Sequence, residues 1–140
     1  MKKPHKEEAL RWLTQAKDEF KDADDLRKRG RLYLALFHFQ QAAEKALKAY
    51  LYVKVKSAEV FHTHSVGDLA QMAAEADVEF KSIAGAKALD KYYILTRYPN
   101  GLPGGVPSRF FDDPKEAERA MQLCRSVIEL AERKVEKARP

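Results

Sequence analysis

"LYLALFHFQQAAEKALKAYL", residues 32–51, is the stretch on which the fold turns. At about 100° per residue, Leu32, Ala35, Leu36, Phe39, Ala43, Ala46, Leu47 and Tyr50 fall on one broad apolar stripe. His38, Gln41, Lys45 and Lys48 share a narrow polar stripe opposite it. The pattern predicts a helix over residues 31–55, and one so apolar belongs at the centre of the molecule. Glu44 and Lys48 stand four apart, a spacing that adds slight support to a helix.

Upstream, Ala9, Trp12, Leu13, Ala16, Phe20, Ala23 and Leu26 step by three and four, which predicts a first helix. Gly30 follows it, and glycine closes helices in the left-handed conformation. Downstream, "FHTHSVGDL" introduces a short helix, with Ser65 and Asp68 spaced as a capping pair. Ile83, Leu89, Tyr92, Tyr93 and Leu95 suggest a fourth helix over residues 79–97. "DDPKEAERAM" marks the start of a fifth: Asp113 can cap, Pro114 suits the first helical position, and Glu116 takes the third. Ala117, Ala120, Met121, Cys124, Val127, Ile128, Ala131 and Val135 form its inner side.

No segment alternates as a half-buried strand does. The expectation is an all-α chain: an antiparallel, up-and-down four-helix bundle with one extra short helix, as a single domain over residues 1–140. Residues 98–112 form a connection longer than bundles ordinarily use, with three glycines and three prolines between Pro99 and Pro107. Loops of that length are commonly functional or mobile.

Composition removes several classes of function. No run approaches the roughly 18 to 20 apolar residues that cross a bilayer. "MKKPHKEEALRW" lacks the apolar core of a secretory signal, so no membrane association and a cytoplasmic location are expected. Cys124 is the single cysteine, excluding an internal disulfide and a four-cysteine metal site. It reads as a small buried hydrophobe. The net charge is +5, and residues 1–56 carry 14 Lys and Arg against 8 Asp and Glu. That bias permits an anionic partner.

Several residues are candidates for binding. Arg97 sits at a predicted helix end beside the long loop, where its two-pronged guanidinium could grip a phosphate or simply offset helix-end carbonyls. Tyr98 could stack a base, and Asn100 could donate to a phosphate or serve the turn "PNG". His38, Gln41, Lys45 and Lys48 could line a ligand groove or form a solvated face. "RKRGR", residues 27–31, is the densest basic cluster and suits a nucleic-acid backbone or a helix dipole. His62 and His64 form an H-x-H pair without the further ligands a metal needs, so no metal and no cofactor are expected. Asp18, Asp22 and Asp25 read as a water-facing row.

Taken together, "LALFHFQQAAEKALKAYL", "HTHSVGDLAQM" and "LDKYYILTRYP" resemble the HEPN family, the higher-eukaryote and prokaryote nucleotide-binding domains, in order and over roughly residues 7–136. The resemblance implies an all-α bundle, usually a homodimer, that binds nucleotide or RNA. It also implies a minimal nucleotidyltransferase as a possible partner protein, as in toxin–antitoxin pairs. Many members are metal-independent ribonucleases with an Arg, four to six residues, then a His. Counted from Arg97, those positions hold Leu102, Pro103 and Gly104, and no His follows His64. The proton-transferring half of that motif is missing. Arg31 and His38 match the spacing literally but stand elsewhere, which reads as coincidence. Binding without ordinary catalysis is therefore expected. The alternatives are a ribonuclease with an altered site, in which His38 or His64 reaches the phosphate, and a protein–protein interaction module.

Overall fold

The computed structural model describes residues 5–55 and 61–139, and among these there is no strand. Residues 1–4 of the N-terminal stretch read above lie outside them. The elements are α1 (His5–Lys28), α2 (Leu32–Lys54) and α3 (Val66–Ala76), then a 3₁₀ segment (Val78–Lys91) running into α4 (Tyr92–Leu95). A 3₁₀ turn (Pro99–Gly101), α5 (Pro107–Phe110) and α6 (Pro114–Lys137) complete the chain. The fold is all-α, and among the described residues no helix is long and apolar enough to cross a membrane.

The α1–α2 hairpin closes as the sequence suggested. Gly30 has φ of 78°. Its N–H donates to the Arg27 carbonyl at 3.0 Å, and the Arg31 N–H donates to Leu26 at 2.9 Å. That pair of bonds satisfies carbonyls left open at the helix end and turns the chain back. In the new direction α2 lies against α1, α3 and α6. Every residue of its predicted stripe is buried, from Leu32 to Tyr50. So is the inner side of α6, Cys124 included. Burial pushes the Cys124 thiol well above its ordinary pKa, so it stays an uncharged packing group.

The fourth helix differs from expectation. Residues 78–91 wind as a 3₁₀ helix with a kink at Ile83 (φ −109°, ψ 18°), and only residues 92–95 are α-helical. The sequence carries the reason. Phe80, Ile83, Ala86, Leu89 and Tyr92 are buried, each three residues after the last, with the intervening residues exposed or, at Asp90, half-buried. In an α-helix a spacing of three drifts by about 60° per step, which would carry Leu89 to the far side from Phe80. At three residues per turn the same residues stay in one row. Phe80 stacks against Tyr50 of α2, with ring centroids 4.3 Å apart.

Polar contacts fix this segment at both ends. At its start, Lys134 of α6 reaches Asp77 at 2.8 Å and Glu79 at 2.9 Å, and Arg133 reaches Glu79 at 2.6 Å. The Lys134 hydrogen bond holds both carboxyls below their usual range. Near its end, Asp90 accepts from the N–H groups of Val66 (2.7 Å) and Gly67 (2.9 Å) and from the Ser65 hydroxyl (2.9 Å). A carboxylate there satisfies orphan donors at the N-terminus of α3. Gly67 permits the approach, since a Cβ would meet Lys87 Cβ at 3.1 Å and Asp90 Oδ2 at 3.3 Å.

Both predicted caps form. Ser65 Oγ accepts from the Asp68 N–H at 3.0 Å, and Asp113 Oδ1 accepts from the Lys115 N–H at 2.9 Å. Glu116, expected in the capping group, instead accepts the Tyr92 hydroxyl at 2.7 Å. The long loop is also more structured than its composition suggested. Leu102, Pro107 and Phe111 are buried, pinning the two short helical turns to the body, and Phe111 meets Tyr92 edge-on at 5.8 Å.

Candidate functional site

Arg97 follows α4 at the surface. Its Nε donates to the Tyr93 carbonyl at 2.7 Å, which fixes the side chain's direction. Its guanidinium carbon lies 4.6 Å from the centre of the Tyr93 ring, 4.9 Å from Phe37 and 5.2 Å from Tyr98. Three rings from α2 and from both sides of the helix end therefore surround one cation. Among the described residues Arg97 has no carboxylate partner. Aromatic quadrupoles attract a cation without cancelling its charge, so the terminal N–H groups remain available to an anion. Tyr98 is 52% exposed. Asn100 is exposed in the 3₁₀ turn that follows.

Beneath Tyr93 lies a second arrangement. The His64 ring stacks nearly parallel to Tyr93, with centroids 5.1 Å apart and an interplanar angle of 15°. Its Nδ1 is 3.3 Å from Glu44 Oε2, the oxygen that also accepts from Lys48 Nζ at 2.9 Å. Glu44 and Lys48 are 4% and 3% exposed, while the His64 side chain is about half exposed. Glu44 Oε1 is buried without a hydrogen-bond partner among the described residues. Gln40, fully buried, donates to the His64 carbonyl at 2.9 Å and accepts from Gln41 at 2.8 Å. The central helix thus holds His64 both by backbone and by ring.

The predicted polar stripe divides between these surroundings and the α1–α2 seam. His38 and Lys45 both meet Glu19 of α1, each at 2.8 Å, and Lys45 also donates to Gln41 at 3.4 Å. Burial pushes the Glu19 carboxyl up, the bonds from His38 and Lys45 outweigh it, and the group ends below its ordinary range. Lys48 points inward to Glu44 rather than to a groove. Arg97 and Tyr98 are brought together; His38, Gln41 and Lys45 form a separate group; Lys48 belongs with Glu44.

Elsewhere, Arg27 and Lys28 of the basic cluster share Asp24, at 2.7 and 3.3 Å. Arg29 and Arg31 are exposed, as are His62 and the row Asp18, Asp22 and Asp25. Phe37, Tyr93 and Glu44 are the site residues that sequence reasoning did not assign. Phe37 lies one residue from the predicted stripe, and its meeting with Arg97 spans sixty positions, for which periodicity offers no signal.

The comparisons with known proteins agree on one architecture. Among curated proteins none matches. The chain is similar to a solved structure titled as TT1696 from Thermus thermophilus, with 35% identity and a TM-score of 0.77, over 90% of this chain and 97% of that one. It shares its fold with ST0689, titled an archaeal HEPN homologue, at 22% identity and a TM-score of 0.70, over 96% and 99% of the two chains. The family model of the HEPN domain matches residues 9–134. With the match spanning nearly the whole chain and the helices following in the expected order, this protein belongs to the HEPN family.

Proposed function

We propose that the protein binds RNA or a nucleotide at Arg97, with a phosphate on the guanidinium and a base against Tyr98. One observation carries this reading: the cation is fixed by Tyr93 and ringed by Phe37, Tyr93 and Tyr98, with no carboxylate among the described residues neutralising it. A buried ion pair would have consumed the charge; aromatic faces leave it. Exposed Ile94, Val106 and Phe110 lie on the segments that flank Arg97. They suit a homodimer in which two copies of the site come together, and a nucleotidyltransferase partner in a toxin–antitoxin type pair extends the same reading.

Fluorescence anisotropy with short single-stranded RNA and with ATP tests it. Arg97→Ala should weaken binding roughly 10- to 100-fold, the worth of a charge-assisted contact to phosphate. Arg97→Lys should recover part, because a point charge lacks the fork. The melting temperature should fall by only a few degrees, since Arg97 is exposed and its ring contacts are weak at the surface. Unsaturable binding by the wild type, or equal affinity in Arg97→Ala, would remove the proposal.

A second reading, a ribonuclease with an altered site, is favoured by the Glu44–His64 contact. A carboxylate on Nδ1 orients the imidazole and leaves Nε2 to exchange a proton, while Arg97 lies against the same Tyr93 ring and could stabilise phosphate charge. Cleavage of single-stranded RNA in EDTA, lost in both His64→Ala and Arg97→Ala, is the expected result. Uncleaved RNA with the wild type leaves binding alone.

A further inference from the structure

A cleft of about 410 Å³ opens between the end of the 3₁₀ segment and the first turns of α6, and Arg97 does not line it. Its apolar surface comes from Ala88, Ala120 and Leu123, with Tyr92 beside them. Lys91, Lys115 and Arg119 bring three cations to the same concavity. Lys115 and Arg119 are four residues apart on α6, so they project from one face of the helix.

Two acids, Asp113 and Glu116, also line this cleft, and each is held by a donor of the fold. Asp113 already accepts from the Lys115 N–H at 2.9 Å, as the cap of α6. Glu116 already accepts the Tyr92 hydroxyl at 2.7 Å. Tyr92 keeps its proton, because burial and the neighbouring Glu116 raise its pKa far above neutrality. Both carboxylates thus accept bonds from neutral donors of the fold, which fix their positions and leave their charge in place. Lys91 pairs loosely with Glu116 at 3.8 Å and lies 5.2 Å from the centre of the Tyr92 ring, whereas Lys115 and Arg119 form no ion pair among the described residues. Elsewhere on α6, Arg133 and Lys134 are paired directly with Asp77 and Glu79. Three cations against two carboxylates leave the concavity with one net positive charge, an excess that favours an anion, and its volume lies within the range of small-molecule sites.

We propose that this cleft binds a small phosphate ester with two or more negative charges. Its phosphates would rest on Lys91, Lys115 and Arg119, and its compact organic body against Ala88, Ala120 and Leu123. Arg119 supplies the two-pronged contact and the lysines supply point charges. Phosphate chemistry fits better than a carboxylate peptide: three cations converge on one concavity, whereas a peptide would need them spaced along a groove. Nothing in this site depends on Arg97, so the two sites stand or fall separately.

Backbone amide shifts, measured by two-dimensional NMR during titration with ADP and with pyrophosphate, provide the test. ADP should shift the Lys115, Glu116 and Arg119 amides saturably below ~1 mM, the weak end of specific binding. Arg119→Ala should weaken that response at least about 10-fold, Lys115→Ala with Arg119→Ala should abolish it, and Arg97→Ala should leave it within about twofold. Both variants alter exposed side chains, so unchanged amide dispersion will confirm an intact fold. Lack of a saturable response at these amides in the wild type, or its persistence in the double variant, overturns the proposal. Pyrophosphate binding as tightly as ADP overturns the role of the apolar surface. Shifts confined to Thr96, Arg97 and Tyr98 support the Arg97 site and overturn this one.

Discussion

Glu44→Ala is expected to destabilise the protein by about 3 to 5 kcal/mol, because it leaves the Lys48 ammonium buried without its partner. Lys48 is 3% exposed, and the carboxylate at 2.9 Å is its only hydrogen-bond acceptor among the described residues. The substitution also frees the His64 ring from its 3.3 Å contact. Urea unfolding followed by circular dichroism should show the midpoint fall with little change in slope. The companion variant separates burial from charge. Replacing Glu44 with Leu and Lys48 with Met together removes both ions and should restore most of the loss, since a well-packed apolar pair often equals or exceeds a buried ion pair. If Glu44→Ala costs below about 1 kcal/mol, the pair behaves like a solvated surface bridge and its burial is wrong.

Phe80→Ala should cost about 3 to 5 kcal/mol, the usual penalty for emptying an aromatic site in a core. Phe80 is fully buried and packs on Tyr50, so the cavity would open between the 3₁₀ segment and α2. The melting temperature should drop by roughly 10 to 15 °C in a chain of this size. Lys81→Ala, one residue along and exposed, should change stability by less than about 0.5 kcal/mol. Were residues 78–91 an α-helix with a different inner face, the exposed and buried positions would exchange, and the pattern of losses would differ from a strict three-residue repeat. An alanine scan of residues 78–92 would read that repeat directly, with Phe80, Ile83, Leu89 and Tyr92 sensitive, Asp90 sensitive through its bonds to the start of α3, and the exposed residues between them tolerant.

Most of the helical fold was legible because helical periodicity is a local property. The inner faces of α1, α2 and α6 follow from spacing along a single segment, and the caps Ser65, Asp113 and Gly30 act within a few residues of themselves. The 3₁₀ segment was legible too, in the spacing of Phe80, Ile83, Ala86 and Leu89, but a helical expectation built on Ile83, Leu89 and Tyr92 passed over Phe80 and Ala86. The loop was harder. Its glycines and prolines signalled a break, while the anchoring of Leu102 and Phe111 depends on a surface supplied by other elements.

For the candidate site, the sequence by itself determined that Arg97 ends a helix beside a long connection, that the His expected after it is missing, and that Glu44 and Lys48 can pair along α2. Only the tertiary structure decided that Phe37 and Tyr93 surround that arginine, that Glu44 reaches His64, that His38 and Lys45 are held by Glu19 rather than left open, and that Glu116 serves Tyr92 instead of its own helix end. The physical reason is one of distance along the chain. Spacing within a helix fixes which way a side chain leaves it, but the partner of a charge or a ring is chosen by whichever helix packs against that face. That choice is made by the burial of all the apolar stripes at once.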